Sequence, residues 1–213
     1  QFVRFVERGT GHIFEVDVTS GATTRITGTT IPRTTRAIWS RDGSRVVLVT
    51  ESARDEERMF AGTIERADQR EGTLTTIELD PGAHNIAFAS TSESIYYTTP
   101  TAQGSVGYSQ NLNTNARTVR FTSPLRDIAV SWESEANASL SIVAYTTPTA
   151  QQIGYAYAGT GFIRLAGDVR GLMVVPMANH RILSYAQNNS LISRTDTLDG
   201  TPLAIPVFTE KCA

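Results

Sequence analysis

One heptapeptide occurs twice in this chain. Tyr97-Thr98-Thr99-Pro100-Thr101-Ala102-Gln103 recurs as Tyr145-Thr146-Thr147-Pro148-Thr149-Ala150-Gln151, and each copy is followed by a Gly-Tyr pair, Gly107-Tyr108 and Gly154-Tyr155. Self-similarity of this kind marks a duplicated structural unit, and it restricts the fold more than any local propensity does. A longer and weaker register runs alongside it. Arg36-Ala37-Ile38-Trp39-Ser40, Asn85-Ile86-Ala87-Phe88-Ala89, Asp127-Ile128-Ala129-Val130-Ser131 and Gly171-Leu172-Met173-Val174-Val175 align with a large apolar residue in fourth place, at steps of 49, 42 and 44 residues. A turn and a second apolar strand follow each of them, at 45–50, 95–98, 140–145 and 181–186. The unit is about 44 residues long and all β.

The first fifty residues show its make-up. Phe2-Val3-Arg4-Phe5-Val6-Glu7 alternates with period two, Gly9-Thr10-Gly11 interrupts it, and His12-Ile13-Phe14-Glu15-Val16-Asp17-Val18 alternates again, which predicts a hairpin. Thr19-Ser20-Gly21 supplies the next turn, with Gly21 suited to positive φ and Asp17 placed to cap it. Further strands are expected at 23–27, at 36–40, and at 46–49 after the turn Arg41-Asp42-Gly43-Ser44. No stretch of ten residues carries a helical apolar stripe. The charged segment 52–58 reads as a loop between second and third strands, because it has no apolar face to hold a helix.

Four short strands in about 44 residues are the pattern of a β-propeller blade, whose faces are buried only against its neighbours. The expected fold is therefore an all-β propeller of four-stranded antiparallel blades, forming one domain over 1–213. About five blades are visible, with windows near 1–40, 41–89, 90–131, 132–175 and 176–213. Glu210-Lys211-Cys212-Ala213 lines up with Thr35-Arg36-Ala37-Ile38, so the inner strand of a further blade is expected to begin near 211. That register suggests a truncated six- to eight-bladed ring, with a closed five-bladed ring as the alternative.

Composition narrows the partners. The chain is 40% hydrophobic and 19% charged, with net charge -2. It therefore has neither the cationic field that drives nucleic-acid binding nor one that attracts anionic lipid. No apolar run approaches the roughly 20 residues of a membrane span, so no membrane insertion is expected within this segment. Cys212, the single cysteine, offers no internal disulfide. His12, His84 and His180 lie 72 and 96 residues apart without a second ligand at metal spacing. Neither Gly-x-Ser-x-Gly nor a phosphate-cradling glycine loop is present. Asp55-Glu56-Glu57 is interleaved with Arg54 and Arg58 as a solvated loop, and Asp42-Gly43, Asp80-Pro81-Gly82 and Asp199-Gly200 are turn formers. No cofactor, metal or catalytic residue is expected.

Trp39-Ser40-Arg41-Asp42-Gly43 resembles the Trp-Ser-Pro-Asp-Gly signature of the WD40-like, TolB-type (PD40) propeller repeat, and the segment from Glu15 to Gly21 continued by Arg25-Ile26-Thr27 is similar to its outer hairpin. The match covers residues 1–50. Ser123-Pro124-Leu125, the two Thr-Thr-Pro-Thr segments and Glu210-Lys211-Cys212 look like uncharacterised propellers of candidate-phylum bacteria. Later blades depart from the signature, since Ala89-Ser90-Thr91-Ser92 and Pro176-Met177-Ala178-Asn179 replace its turn. The resemblance implies an extracytoplasmic or envelope-associated propeller that binds and does not catalyse.

One constellation points to a binding face. Aligned positions just before the inner strands hold Thr35, His84, Arg126 and Arg170, with Arg33 and Arg36 beside the first. In a propeller these positions encircle one mouth of the channel, where converging cations favour an anionic ligand or an acidic partner surface. The repeated loops carrying Gln103 and Gln151 should reach the same face. Trp39 and Trp132 are expected to pack between blades. The resulting expectation is a non-catalytic binding or scaffolding propeller for a protein partner at the cell envelope. The alternatives are the gating propeller of a serine peptidase or other hydrolase whose catalytic domain lies outside the segment, and a surface-layer or filament subunit. The pattern fits all three, because fold does not fix function.

Overall fold

The computed structural model describes residues 1–52, 56–66, 71–89, 91–126, 128–134, 139–145, 152–157, 162–177, 180–197, 201–202 and 208–211. Every regular element among them is a strand. The first sheet is β1 (Phe2–Val6), β2 (Ile13–Asp17) and β3 (Thr23–Arg25), in that order. Next come β4 (Thr34–Trp39), β5 (Arg45–Glu51), β6 (Glu57–Glu65) and β7 (Thr73–Glu78), a four-stranded antiparallel meander. A second four-stranded sheet holds β8 (His84–Phe88), β9 (Ser94–Thr101), β10 (Gly104–Asn111) and β11 (Arg117–Ser123).

The remaining strands share one seven-stranded sheet: β12 (Ile128–Ser134), β13 (Ser139–Tyr145), β14 (Gln152–Tyr157), β15 (Phe162–Pro176), β16 (His180–Gln187), β17 (Ser190–Thr197) and β18 (Phe208–Lys211). It is two repeats joined through β15. From Phe162 to Val169 this strand pairs with β14, and from Arg170 onward it pairs with β16. The fourth strand of one repeat thus runs directly into the first strand of the next. Arg170, expected on a loop, lies inside β15. Gly171, at φ 61, takes up the register shift between Arg170 and Met173, a bulge that lets one strand serve two partners. At the other end of the sheet β18 pairs with β17, Lys211 standing opposite Ser190.

The chain divides into two compact units, residues 1–99 with 109–118 and residues 100–108 with 119–213. In the first, Val46, Val47, Leu48 and Val49 are at most 1% exposed, as befits a strand covered on both faces. Ile13, Ile26, Val46, Leu48 and Leu74 form its core, and Trp39 packs against them, between the first sheet and the second as expected. In the second unit Trp132 packs on Phe121, ring centroids 6.0 Å apart, beside Ile128. Its largest core joins Ala156, Leu165, Val169, Leu172, Val174, Leu183 and Tyr185. The charged segment expected as a loop at 52–58 is shorter at its far end, because Glu57 and Arg58 are drawn into β6 opposite Glu51 and Thr50. Its residues 53–55 lie outside the described set.

The repeated glycine has a packing reason. Third strands carry Gly62, Gly107 and Gly154, and a Cβ there would fall 2.6 Å from Leu74 Cδ1, 2.7 Å from Phe121 Cζ and 2.7 Å from Leu172 Cδ2 respectively. Each glycine makes room for one large side chain of the neighbouring strand.

Candidate binding face

Three inner strands begin with a one-residue bulge, between Thr34 and Arg36, His84 and Ala87, and Arg170 and Met173. An extra residue there bends the strand and turns its first side chains outward. In the first unit, Arg33 sits at φ 61 immediately before β4. Its N–H donates to Gly9 O at 2.7 Å and its carbonyl accepts from Glu51 N at 3.2 Å, so a ladder on either side holds the unusual backbone. The side chains of Arg33 and Arg36 are both exposed.

His84 opens β8 in a different electrostatic setting. Its Nδ1 donates to Gly82 O at 2.9 Å, since a carbonyl can only accept, and this fixes the proton of the neutral ring on Nδ1. The ring lines a pocket whose charged walls are Glu56, Glu57, Glu78, Asp80 and Arg58. Arg58 grips Glu78 with a fork, Nε to Oε1 and Nη2 to Oε2 both at 2.7 Å, and Arg117 pairs with Asp80. His84 therefore stands among carboxylates, two of which are paired with Arg58 and Arg117. Glu78 and Asp80 were invisible as neighbours of Glu56 in the sequence, where they lie more than twenty positions away.

In the second unit the first copy of the repeated loop is a tight turn. Pro100 and Thr101 remain in β9, and only Ala102 and Gln103 form the bend. The β8–β9 register ends at His84 opposite Thr98, so Pro100, which lacks an N–H, lies past that ladder. Gly104 follows at φ 141, its Cα so close to the 123–124 backbone that a Cβ would meet Pro124 C at 2.7 Å. Arg126 then ties this turn to the linker after β11: its Nη2 donates to Ala102 O at 2.7 Å, and Ser105 Oγ donates to Arg126 O at 2.9 Å. Gln103 and Arg126 are thereby placed side by side, both exposed. Arg170 is exposed on β15 opposite Ala186. Gln151 lies outside the described residues. Next to the Arg126 linker the apolar groups of Pro124, Leu125, Tyr155 and Phe162 enclose, with Ser123, a pocket of about 180 Å³. Sequence reasoning missed it, because Tyr155 and Phe162 reach it from different strands.

The Trp-Ser-x-Asp-Gly segment lies at the opposite end of the sheets, in the β4–β5 turn. Asp42 accepts from Ser40 Oγ (2.7 Å), Ser44 N (3.1 Å), Ser44 Oγ (2.9 Å) and Ser92 Oγ (2.9 Å). Partial burial raises its pKa, but these four hydrogen bonds outweigh that and hold the carboxyl well below the usual carboxylate range. Ser92 belongs to the corresponding turn of the next sheet, between β8 and β9. Arg45 Nη2 reaches Asn113 Oδ1 of that sheet at 2.5 Å, and Arg4 Nη1 reaches Gly43 O from the first sheet at 2.6 Å. The signature residues clamp successive sheets together.

Among the described residues no group of three or more His, Cys, Asp or Glu side chains could hold a metal ion, and no helix is long and apolar enough to cross a membrane.

No protein-family model matches the chain, and no curated protein matches its sequence. Solved structures do match in three dimensions. A putative TolB from Agrobacterium tumefaciens aligns with TM-score 0.58 at 11% identity, over 98% of this chain and 76% of that one. An uncharacterised protein from Listeria monocytogenes aligns at 0.64 and 9% identity, over 99% and 62%. The β-propeller domain of the trilobed protease from Pyrococcus furiosus aligns at 0.58 and 9% identity, over 90% of this chain and 64% of that one. With its repeated four-stranded antiparallel sheets, the chain has a TolB-like β-propeller fold.

Proposed function

We propose that this propeller is a non-catalytic binding module that engages an acidic surface of a protein partner, and that it works at the cell envelope as a relative of the PD40 repeats. One observation carries the reading: exposed arginines recur where inner strands begin, at Arg33 and Arg36 in the first unit and at Arg126 and Arg170 in the second, and Arg126 is held beside Gln103 by hydrogen bonds to Ala102 O and from Ser105 Oγ. Such groups supply complementary charge with little further ordering. His84, in its carboxylate-lined pocket, contributes least to the cationic character.

The test is photo-crosslinking on the intact natural protein, with a benzophenone side chain at Gln103 or at Thr24 on the outer strand β3. Capture of one acidic protein from Gln103 only, lost in an Arg126→Glu, Arg170→Glu variant that keeps its melting temperature, is the expected result. Capture indifferent to the charge reversal would overturn the cationic face. A second reading, the gating propeller of a peptidase, is favoured by the likeness to a protease propeller domain. It predicts that a fluorophosphonate probe labels the intact protein, and the binding reading predicts no label.

A further inference from the structure

Two buried side chains hold the backbone at the points where the chain enters its next inner strand. Third strands of the second unit carry Ser105-Val106-Gly107 and Gln152-Ile153-Gly154. Ser105 and Gln152 thus stand two positions before the repeated glycine, and they are 1% and 7% exposed. Ser105 Oγ donates to Arg126 O at 2.9 Å, and the same carbonyl accepts from Ile128 N at 3.0 Å as the chain turns into β12. Gln152 Oε1 accepts from Leu172 N at 2.6 Å, where β15 passes from one partner strand to the other. In the repeat register Ile128 aligns with Leu172 and Arg126 with Arg170, so the two side chains act at the same place.

A side chain is needed there for a physical reason. The register shift between Arg170 and Met173 takes Leu172 N out of the regular ladder, and a buried backbone donor must then find another acceptor. Strand β14 holds Leu172 a second time, because the side chain of that leucine fills the space beside Gly154. Gly171, between Arg170 and Leu172, has no side chain to resist rotation. The tether at Leu172 and the pairing of Arg170 with Ala186 therefore fix together how the exposed Arg170 leaves the sheet. At Arg126, also exposed, the tether is made directly to its own carbonyl. The first unit has no such device: two positions before Gly62 stands Phe60, and Arg33 is held by backbone bonds with Gly9 and Glu51 instead.

We infer that Ser105 and Gln152 are positioning residues of the binding face: they set Arg126 and Arg170 by tethering the backbone at the entry to β12 and to the second half of β15. The inference rests on the binding reading above. It adds that in the second unit the third strand of each repeat, and not the inner strand alone, decides where the arginine points.

The experiment uses the intact natural protein and the benzophenone at Gln103. Gln152→Met keeps the length of the side chain and removes the amide oxygen, and Ser105→Ala removes the hydroxyl; Gln152→Glu and Ser105→Thr keep the bonding atoms. Hydrogen exchange of the Leu172 amide, read by NMR, should speed up more than tenfold in Gln152→Met and return to the parent rate in Gln152→Glu. Capture per folded molecule should fall several-fold in Gln152→Met and in Ser105→Ala and recover in the two conservative variants. A purely structural role would lower the melting temperature and leave capture per folded molecule unchanged. With Arg170→Ala already present, Gln152→Met should weaken capture no further, and neither should Ser105→Ala on Arg126→Ala, because each tether acts through its arginine. An unchanged Leu172 exchange rate in Gln152→Met, unchanged capture in both tether variants, or an equal further loss on the alanine backgrounds would overturn the inference. If capture answers to the Arg126 and Arg170 reversal but not to the tether variants, the binding reading stands and the inference falls. If it answers to neither, or nothing is captured, both fall.

Discussion

Gly107→Ala is the sharpest test of why the repeat keeps a glycine in its third strands. The backbone at Gly107 is not left-handed, so alanine meets no conformational penalty there and would gain about 0.4–1 kcal/mol by restricting the unfolded chain. Space decides the outcome. The new Cβ would lie 2.7 Å from Phe121 Cζ and closer still to Cε1 and Cδ1, whereas carbon atoms rest about 3.5–4 Å apart. The ring would have to retreat by about 1 Å or more, against Trp132 at 6.0 Å and Phe162 at 6.1 Å between centroids. Overpacking of this kind costs about 1–3 kcal/mol, leaving after that gain a net loss of about 1.3 kcal/mol and a fall in melting temperature of about 3–5 °C for a chain of this size. Calorimetry or thermal circular dichroism would read it. Phe121→Leu should restore part of the loss, so that the double variant is about 1 kcal/mol more stable than the sum of the singles predicts. An unchanged or raised melting temperature for Gly107→Ala, or strict additivity with Phe121→Leu, would refute the reasoning.

Asp42→Asn should lower stability by about 1 kcal/mol at neutral pH, because the amide loses the Oδ2 acceptance from Ser44 Oγ and the negative charge that strengthens the Oδ1 bonds from Ser40, Ser44 N–H and Ser92. Because the folded carboxyl has a depressed pKa, its contribution is present above the unfolded value of about 4 and is lost as pH falls below it; melting temperatures of variant and parent should converge toward pH 2. Far-ultraviolet circular dichroism should show strand with almost no helix, and more than about 15% helix would contradict the repeat assignment. Gly21→Ala, at φ 71 with nothing within 4 Å of its Cβ, should cost about 1 kcal/mol through backbone strain alone, and no neighbouring side-chain truncation should rescue it.

The repeat made the fold legible. Alternation at 2–6 and 13–17 and the apolar block at 46–49 mark strands because side-chain period and burial leave a direct trace in sequence. The junction at Arg170 left none, since a loop and a bulge with Gly171 at positive φ use the same residue types. Gly107 and Gly154 were visible as repeats, but their reason lies in Phe121 and Leu172 on neighbouring strands, and Gly62 escaped notice because no heptapeptide accompanies it. The arginines of the candidate face were legible by alignment to the inner strands. What surrounds them was not: the carboxylates around His84 and the aromatic wall at Phe162 arise from pairing between segments 20 to 40 residues apart, which no local pattern records.

Binding rather than catalysis is the central claim, and the reading frame that encodes this chain tests it most directly. Sequencing it in both directions should reveal further repeats of about 44 residues and an upstream anchor, with no Gly-x-Ser-x-Gly. A region of roughly 250 residues alternating strand and helix, carrying Gly-x-Ser-x-Gly and a later His, would contradict the claim and make this propeller the gate of a hydrolase.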